Sequence, residues 1–168
     1  MGLPGPARAA GVNAVHPPDL RGRSVWVHVL GCRSNLCEGD FLAGDLEARG
    51  ALVTRDPEGC SAAVIVSCSV TAEADRKCRQ AVRRARRTVG ELGVVAVCGC
   101  WAQGAAADEA RELGADILVG NRRKGELTDA LEAMVRDGRA FCDLRSDLLR
   151  DRRWEELPAM RPVFHTRA

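Results

Sequence analysis

The sequence predicts an α/β fold with an open, mostly parallel, doubly wound sheet flanked by helices. Three observations predict it. Short β-rich apolar runs alternate with longer segments of helical periodicity. The runs are continuously apolar, as strands covered on both faces are. The order strand, helix, strand, strand, helix, strand, helix, strand, helix is that of repeated crossover units.

The elements follow in order. Residues 1–23 are rich in Gly, Ala and Pro, lack periodicity and read as a flexible tail. Val25 to Leu30 form a first strand that runs into Gly31-Cys32. A helix is expected from Asn35 to Glu47, with Phe41, Leu42 and Leu46 on its apolar side, Asn35 as its cap and Gly50 as its stop. Leu52 to Thr54 is a short second strand, and Ala62 to Val66 a buried third one that reaches Ser67-Cys68. A long helix should span Ala72 to Leu92, with Thr71 as N-cap and Glu73 and Asp75 at its positive end. Val94 to Val97 make the fourth strand, leading to Cys98-Gly99-Cys100. A helix over Gly104–Leu113, a strand over Asp116–Gly120 and a helix over Glu126–Arg136 come next. Leu127, Leu131, Met134 and Val135 share one face of that last helix, and Gly138 closes it. Phe141 to Leu144 is a candidate sixth strand. Residues 24–144 thus make one domain, and 145–168 read as a linker in which Arg and Asp dominate and Pro158 and Pro162 break any helix.

Composition narrows the function. The chain has 168 residues and a net charge of +2, so overall charge does not mark a nucleic-acid binder. Aromatics are only 4% and Tyr is absent, which argues against a stacking platform for single strands. There is no secretory signal and no stretch long enough to span a membrane. Eight cysteines in a cytoplasmic, reducing setting suggest metal or redox chemistry rather than disulfides.

Three of those cysteines are placed alike. In a flavodoxin- or Rossmann-like sheet of order 2-1-3-4-5, strands 1, 3 and 4 are neighbours, and Cys32, Cys68 and Cys100 lie at or just past their carboxyl ends. Ligands of such folds bind in the crevice outside those ends. Soft sulfur donors select iron–sulfur clusters, zinc or copper. A four-iron cluster on three cysteines keeps one iron open to another ligand. Cys68 precedes a helix start, which favours its thiolate. Cys60, Cys78, Cys98 and Cys142 read as core residues, although spacing leaves Cys98 open as a ligand. Cys32 and Cys37 flank a turn and could pair or share a metal.

The segments around these cysteines are Leu30-Gly31-Cys32-Arg33-Ser34-Asn35, Val66-Ser67-Cys68-Ser69-Val70-Thr71 and Cys98-Gly99-Cys100-Trp101-Ala102-Gln103. Together they resemble the amino-terminal domain of the radical-SAM methylthiotransferase family. Ala72 to Gln80 and Val119 to Lys124 resemble the branch acting on threonylcarbamoyladenosine. Trp154 to Pro158, and the chain from there through Ala168, resembles the linker into the radical domain. The usual Asn-Thr before the second cysteine is Val66-Ser67 here. The resemblance implies that Cys32, Cys68 and Cys100 hold a [4Fe-4S] cluster. It also implies a product, 2-methylthio-N6-threonylcarbamoyladenosine at tRNA position 37. S-adenosylmethionine and a second [4Fe-4S] cluster belong to a radical domain whose C-x3-C-x2-C motif does not occur in these residues. The 168-residue chain is therefore expected to be inactive alone, with no catalytic residue of its own.

Seven basic residues crowd Arg76 to Arg87, and Arg76, Arg79, Arg83 and Arg87 fall on one helical face. That face reads either as a tRNA phosphate contact or as a solvated surface. His28 reads as a strand residue, and Gly31 and Gly99 as points of close backbone approach. No Walker motif or GxGxxG follows a strand, and no hydrolytic triad is evident. Three alternatives stand beside the leading reading. They are a relative acting on isopentenyladenosine tRNA or a ribosomal protein, a non-catalytic three-cysteine metal or redox module, and an inert remnant.

Overall fold

The computed structural model describes residues 19–138, 141–150 and 157–158. Six strands form one sheet: β1 (Ser24–Val29), β2 (Leu52–Thr54), β3 (Ala62–Ser67), β4 (Val94–Gly99), β5 (Ile117–Val119) and β6 (Cys142–Leu144). Their order is β2-β1-β3-β4-β5-β6, and every pairing is parallel. The sheet is thus the expected doubly wound one, with β6 added beside β5. β3 and β4 are buried along their whole length, which is why their sequences are apolar without alternation.

Successive side chains point to opposite faces, so the strands feed two cores. One face carries Val25, Val27, Val64, Val66, Ala96, Cys98, Ile117 and Val119. It is covered by α1 (Arg33–Ala48) through Leu42 and Leu46, and by α5 (Leu127–Asp137) through Leu127, Leu131 and Met134. The other face carries Trp26, Ala63, Ile65, Val95, Val97 and Leu118. It is covered by α2 (Ala72–Val89), α3 (Cys100–Gly104) and α4 (Ala107–Leu113). α2 offers only small residues there (Cys78, Ala81, Val82 and Ala85), and Trp26 and Trp101 supply the bulk. Each fully buried large side chain contributes roughly 1.5–3 kcal/mol.

Several boundaries differ from expectation for identifiable reasons. Residues 19–23 do not behave as tail. Leu20 is buried in the first core, the Gly22 N–H donates to Gly50 O at 2.8 Å, and Arg23 Nε donates to Asp19 O at 2.9 Å. α2 stops at Val89 because Gly90 turns the chain at φ +66, leaving Leu92 exposed. The helix expected over 104–113 is two helices broken at Ala105-Ala106, and the first begins directly at Cys100. A single 3-10 turn, Lys124–Glu126, leads into α5. The Thr71 cap is present, its hydroxyl accepting from the Ala74 N–H at 3.1 Å. Among the described residues no helix is long and apolar enough to cross a membrane. The expected tail over 1–18, and the linker over 151–156 and 159–168, lie outside the described residues.

Candidate metal-binding edge

The three cysteines meet where the strand registers end. β3 and β4 pair down to Ser67 and Gly99, so Cys68 and Cys100 are the next residue of each. β1 and β3 pair down to Val29 and Val66, and the Leu30 N–H still donates to Val66 O at 2.9 Å. Neighbouring strands are about 4.8 Å apart, so Cys32, Cys68 and Cys100 share one stretch of the carboxyl edge.

Glycine makes this edge tight. Gly31 has φ +101, and a Cβ there would lie 2.5 Å from Cys68 Cβ and 2.9 Å from its Sγ. Gly99 has φ +99, and a Cβ there would collide with the Ser67 carbonyl. Each glycine turns the chain straight into a helix, so Cys32 becomes the N-cap of α1 and Cys100 the first residue of α3. Cys68 is placed differently, since α2 starts only after Thr71. The sequence expectation of a helix start next to Cys68 is therefore corrected.

Asn35, Ser67 and Cys78, all uncharged, hold the ends of β1, β3 and β4 from behind, and Arg145 braces α3. Asn35 is not the cap of α1. It is 4% exposed, and its amide donates to Leu30 O at 2.5 Å and Ser67 O at 3.2 Å, tying β1 to β3. Ser67 Oγ donates to Cys98 O and accepts from the Ala102 N–H at 3.2 Å, tying β3 to β4 and α3. Cys78, on α2, accepts from the Cys68 N–H at 3.3 Å and donates to Cys68 O at 2.9 Å. Burial, chiefly, pushes the Cys78 thiol up to about 11, which suits a core residue rather than a thiolate. Asn121, just past β5, donates from Nδ2 to Cys100 Sγ at 3.8 Å. Gln103 accepts from the Asn121 N–H at 3.1 Å and donates to Ser146 O at 3.0 Å, while Arg145 donates to Ala102 O and Ala105 O. Asn121, Gln103 and Arg145 carry no spacing signal that would have assigned them this role.

The remaining cysteines separate clearly. Cys98 is wholly buried in the α1/α5 core, and Cys60 is buried and donates to Asp56 O at 3.3 Å. Cys142 sits half-buried on β6, its thiol pushed up by burial. Cys37 is exposed on α1 and forms no disulfide with Cys32; none of the eight cysteines is in a disulfide. At the edge itself Cys68 is buried, while Cys32 and Cys100 are exposed.

The donor set can be tested for fit. Among the described residues, no three His, Cys, Asp or Glu side chains surround a point suited to one metal ion. A single zinc would draw sulfurs to about 3.8 Å, given Zn–S bonds near 2.3 Å. A multi-iron cluster instead gives each cysteine its own iron and spaces the sulfurs more widely. Three strand-end thiols, with no carboxylate or imidazole among them, are by chemistry the soft donors that an iron–sulfur cluster takes. Beside Gly31 a cleft of ≈ 330 Å³ opens between β1 and the first turn of α2, lined by Leu30, Gly31, Thr71, Glu73 and Lys77 among others.

The basic helix face is smaller than the spacing implied. Arg79 pairs with Asp75 at 2.8 Å and with Glu109 of α4, and Lys77 pairs with Glu73 at 2.8 Å. Arg84 lies over the Trp26 ring at 5.4 Å, and Arg86 bonds Gly90 O, Gly93 O, Gly114 O and Asp116. Arg76, Arg83 and Arg87 remain as its exposed cations. His28 is a strand residue packed on Trp26, centroids 5.1 Å apart.

An all-parallel doubly wound domain belongs to the class of α/β modules whose ligands bind outside the carboxyl ends of the strands. Comparison with known proteins narrows the class. The model of the Uncharacterized protein family UPF0004 matches residues 24–120. Over 108 residues the chain is 37% identical to threonylcarbamoyladenosine tRNA methylthiotransferase MtaB of Aquifex aeolicus, covering 64% of this chain and 26% of that protein. It is 30% identical over 145 residues to the MtaB of Bacillus subtilis, covering 86% and 32%. It is also 30% identical over 157 residues to ribosomal protein uS12 methylthiotransferase RimO of Kineococcus radiotolerans, covering 88% and 32%. The chain belongs to this family, the amino-terminal domain of methylthiotransferases. It spans about a quarter to a third of the length of the curated relatives it matches.

Proposed function

We propose that this domain is the cluster-carrying part of a tRNA methylthiotransferase, with Cys32, Cys68 and Cys100 as the thiolate ligands of a [4Fe-4S] cluster. One observation carries the reading: three cysteines distant in sequence lie just past the carboxyl ends of three adjacent parallel strands. Such a cluster supplies an iron with a coordination position left for a non-protein sulfur ligand. The chain's own part is to hold the donors. Gly31 and Gly99 let the backbones close on Cys68 and Ser67, and Asn35 and Ser67 lock the strand ends. S-adenosylmethionine and a second cluster belong to the remainder of such an enzyme, outside these residues.

The substrate we infer is N6-threonylcarbamoyladenosine at position 37 of tRNA, met in the cytoplasm. Support comes from the names of the MtaB relatives and from Ala72 to Gln80. A second reading, methylthiolation of a ribosomal protein, has one observation behind it: the RimO relative aligns over 88% of the chain. Nucleoside mass spectrometry of cells lacking the gene decides. Loss of the 2-methylthio nucleoside, with its unmodified precursor accumulating, supports the first reading. Intact tRNA with an unmodified uS12 supports the second, and no change in either defeats both. Arg76, Arg83 and Arg87 are the proposed tRNA contacts, without Arg79. An Arg83→Glu/Arg87→Glu variant of the whole enzyme should bind tRNA more weakly and with a shallower salt slope. Unchanged affinity would return this face to plain solvated surface.

A further inference from the structure

The most constrained of the three edge cysteines is Cys68, and the residue that constrains it most directly is another cysteine. β3 ends at Ser67, so the Cys68 peptide lies beyond the ladder with β4. Its N–H and C=O are nonetheless buried, and buried backbone groups without partners are costly. Both are satisfied by one atom. Cys78 Sγ accepts from the N–H at 3.3 Å and returns its S–H to the C=O at 2.9 Å. The opposite side of Cys68 is closed by Gly31, where a Cβ would meet Cys68 Sγ at 2.9 Å. Cys68 is therefore held between the end of β1 and the second turn of α2.

We propose that Cys78 is a positioning residue: its thiol clasps the Cys68 peptide from both sides and so fixes the direction in which Cys68 presents its sulfur at the carboxyl edge. This rests on the cluster reading above for what the sulfur is presented to, but the clasp itself is a property of the protein without metal. Cys78 is not a ligand in this account. It is 0% exposed, its hydrogen bonds are spent on the Cys68 backbone, and it faces the α2 core with Ala81 and Val82. A hydroxyl at residue 78 could also accept and donate. A methyl group in place of the sulfur could do neither; valine carries a second methyl and is larger than cysteine, while alanine is smaller.

The test separates the clasp from packing with Cys78→Ser, which keeps a donor and an acceptor, and with Cys78→Val and Cys78→Ala, which lack both. These two err in opposite directions of size, so that alanine should follow valine and stands in if the valine variant does not fold. In the metal-free chain, iodoacetamide labelling of each cysteine is followed by peptide mass spectrometry. In the anaerobically reconstituted chain, iron release to a chelator is timed. Losing a hydrogen bond of ordinary net strength corresponds to roughly a fivefold change. The clasp predicts that Cys78→Val labels Cys68, but not Cys32 or Cys100, about fivefold faster and releases iron faster, while Cys78→Ser stays within about twofold of wild type. Equal behaviour of the two variants, or a serine variant worse than the valine one, would overturn it in favour of packing. Loss of all iron in both would overturn it by making Cys78 a ligand. Wild type that takes up no iron would sink the cluster reading alone, because the Cys68 labelling ratio still decides the clasp.

Discussion

The two ends of the central strands are closed by different chemistry. At the amino ends of β4 and β5, Arg86 gathers three carbonyls (Gly90, Gly93 and Gly114) and pairs with Asp116. Asp116 in turn accepts from the Val95 N–H at 2.7 Å. At the carboxyl ends of β1, β3 and β4, the comparable bonds are made by an amide, a hydroxyl and a thiol. A guanidinium spends its charge on a fixed set of acceptors and offers nothing further. Neutral groups fix the backbone of these three strand ends, and among the described residues the edge sulfurs meet only the neutral amides of Asn35, at Cys32, and Asn121, at Cys100. One end is thus closed by an ion pair, while the other is closed by neutral groups that place no charge against the cysteines.

Substitutions at each end should break that contrast or sharpen it. The largest effect is expected for Gly99→Ala. It forces a side chain into a glycine-only conformation and against the Ser67 carbonyl, costing about 4 kcal/mol in urea unfolding. Iron uptake should fall with it, because Cys100 follows directly. Arg86→Met comes next, at about 2 kcal/mol, since it strands part-buried carbonyls and a carboxylate. Here iron per folded chain should stay at the wild-type value; a loss of iron would show that the two ends are not separable. The smallest effect belongs to neither end. Burial, and then the charge of Arg84, hold the His28 imidazole below its ordinary range. The folded state therefore binds this proton less readily than the unfolded chain. Stability is full above the unfolded value near 6.5 and is lost as pH falls through the folded one. In acid titrations of stability, His28→Gln should flatten that decline.

Much of this was legible in the sequence because it is local. Apolar runs ending in Gly-Cys or Ser-Cys mark strand ends, and Thr71 with Ala74 makes a cap from residues three apart. What was not legible depends on partners far along the chain. Asn35 resembles a cap by type, yet its amide is consumed by Leu30 and Ser67 once Gly31 has turned the chain. Arg79 sits correctly on the basic face, but Glu109 of α4 neutralises it. Arg145 and Ser146 read as linker and instead pack over α3 through Ala102, Ala105 and Gln103. Leu20 reads as tail because one leucine among Pro and Gly has no periodicity, and only the assembled core shows where it goes.

Whether the carboxyl edge holds a cluster on three cysteines is decided by iron and acid-labile sulfide per chain after anaerobic reconstitution, in wild type and in Cys32→Ala, Cys68→Ala, Cys100→Ala and Cys98→Ala. About four irons and four sulfides are expected, lost in the first three variants and kept in Cys98→Ala. Zinc in place of iron, or iron that survives Cys68→Ala, would contradict a cluster on three cysteines.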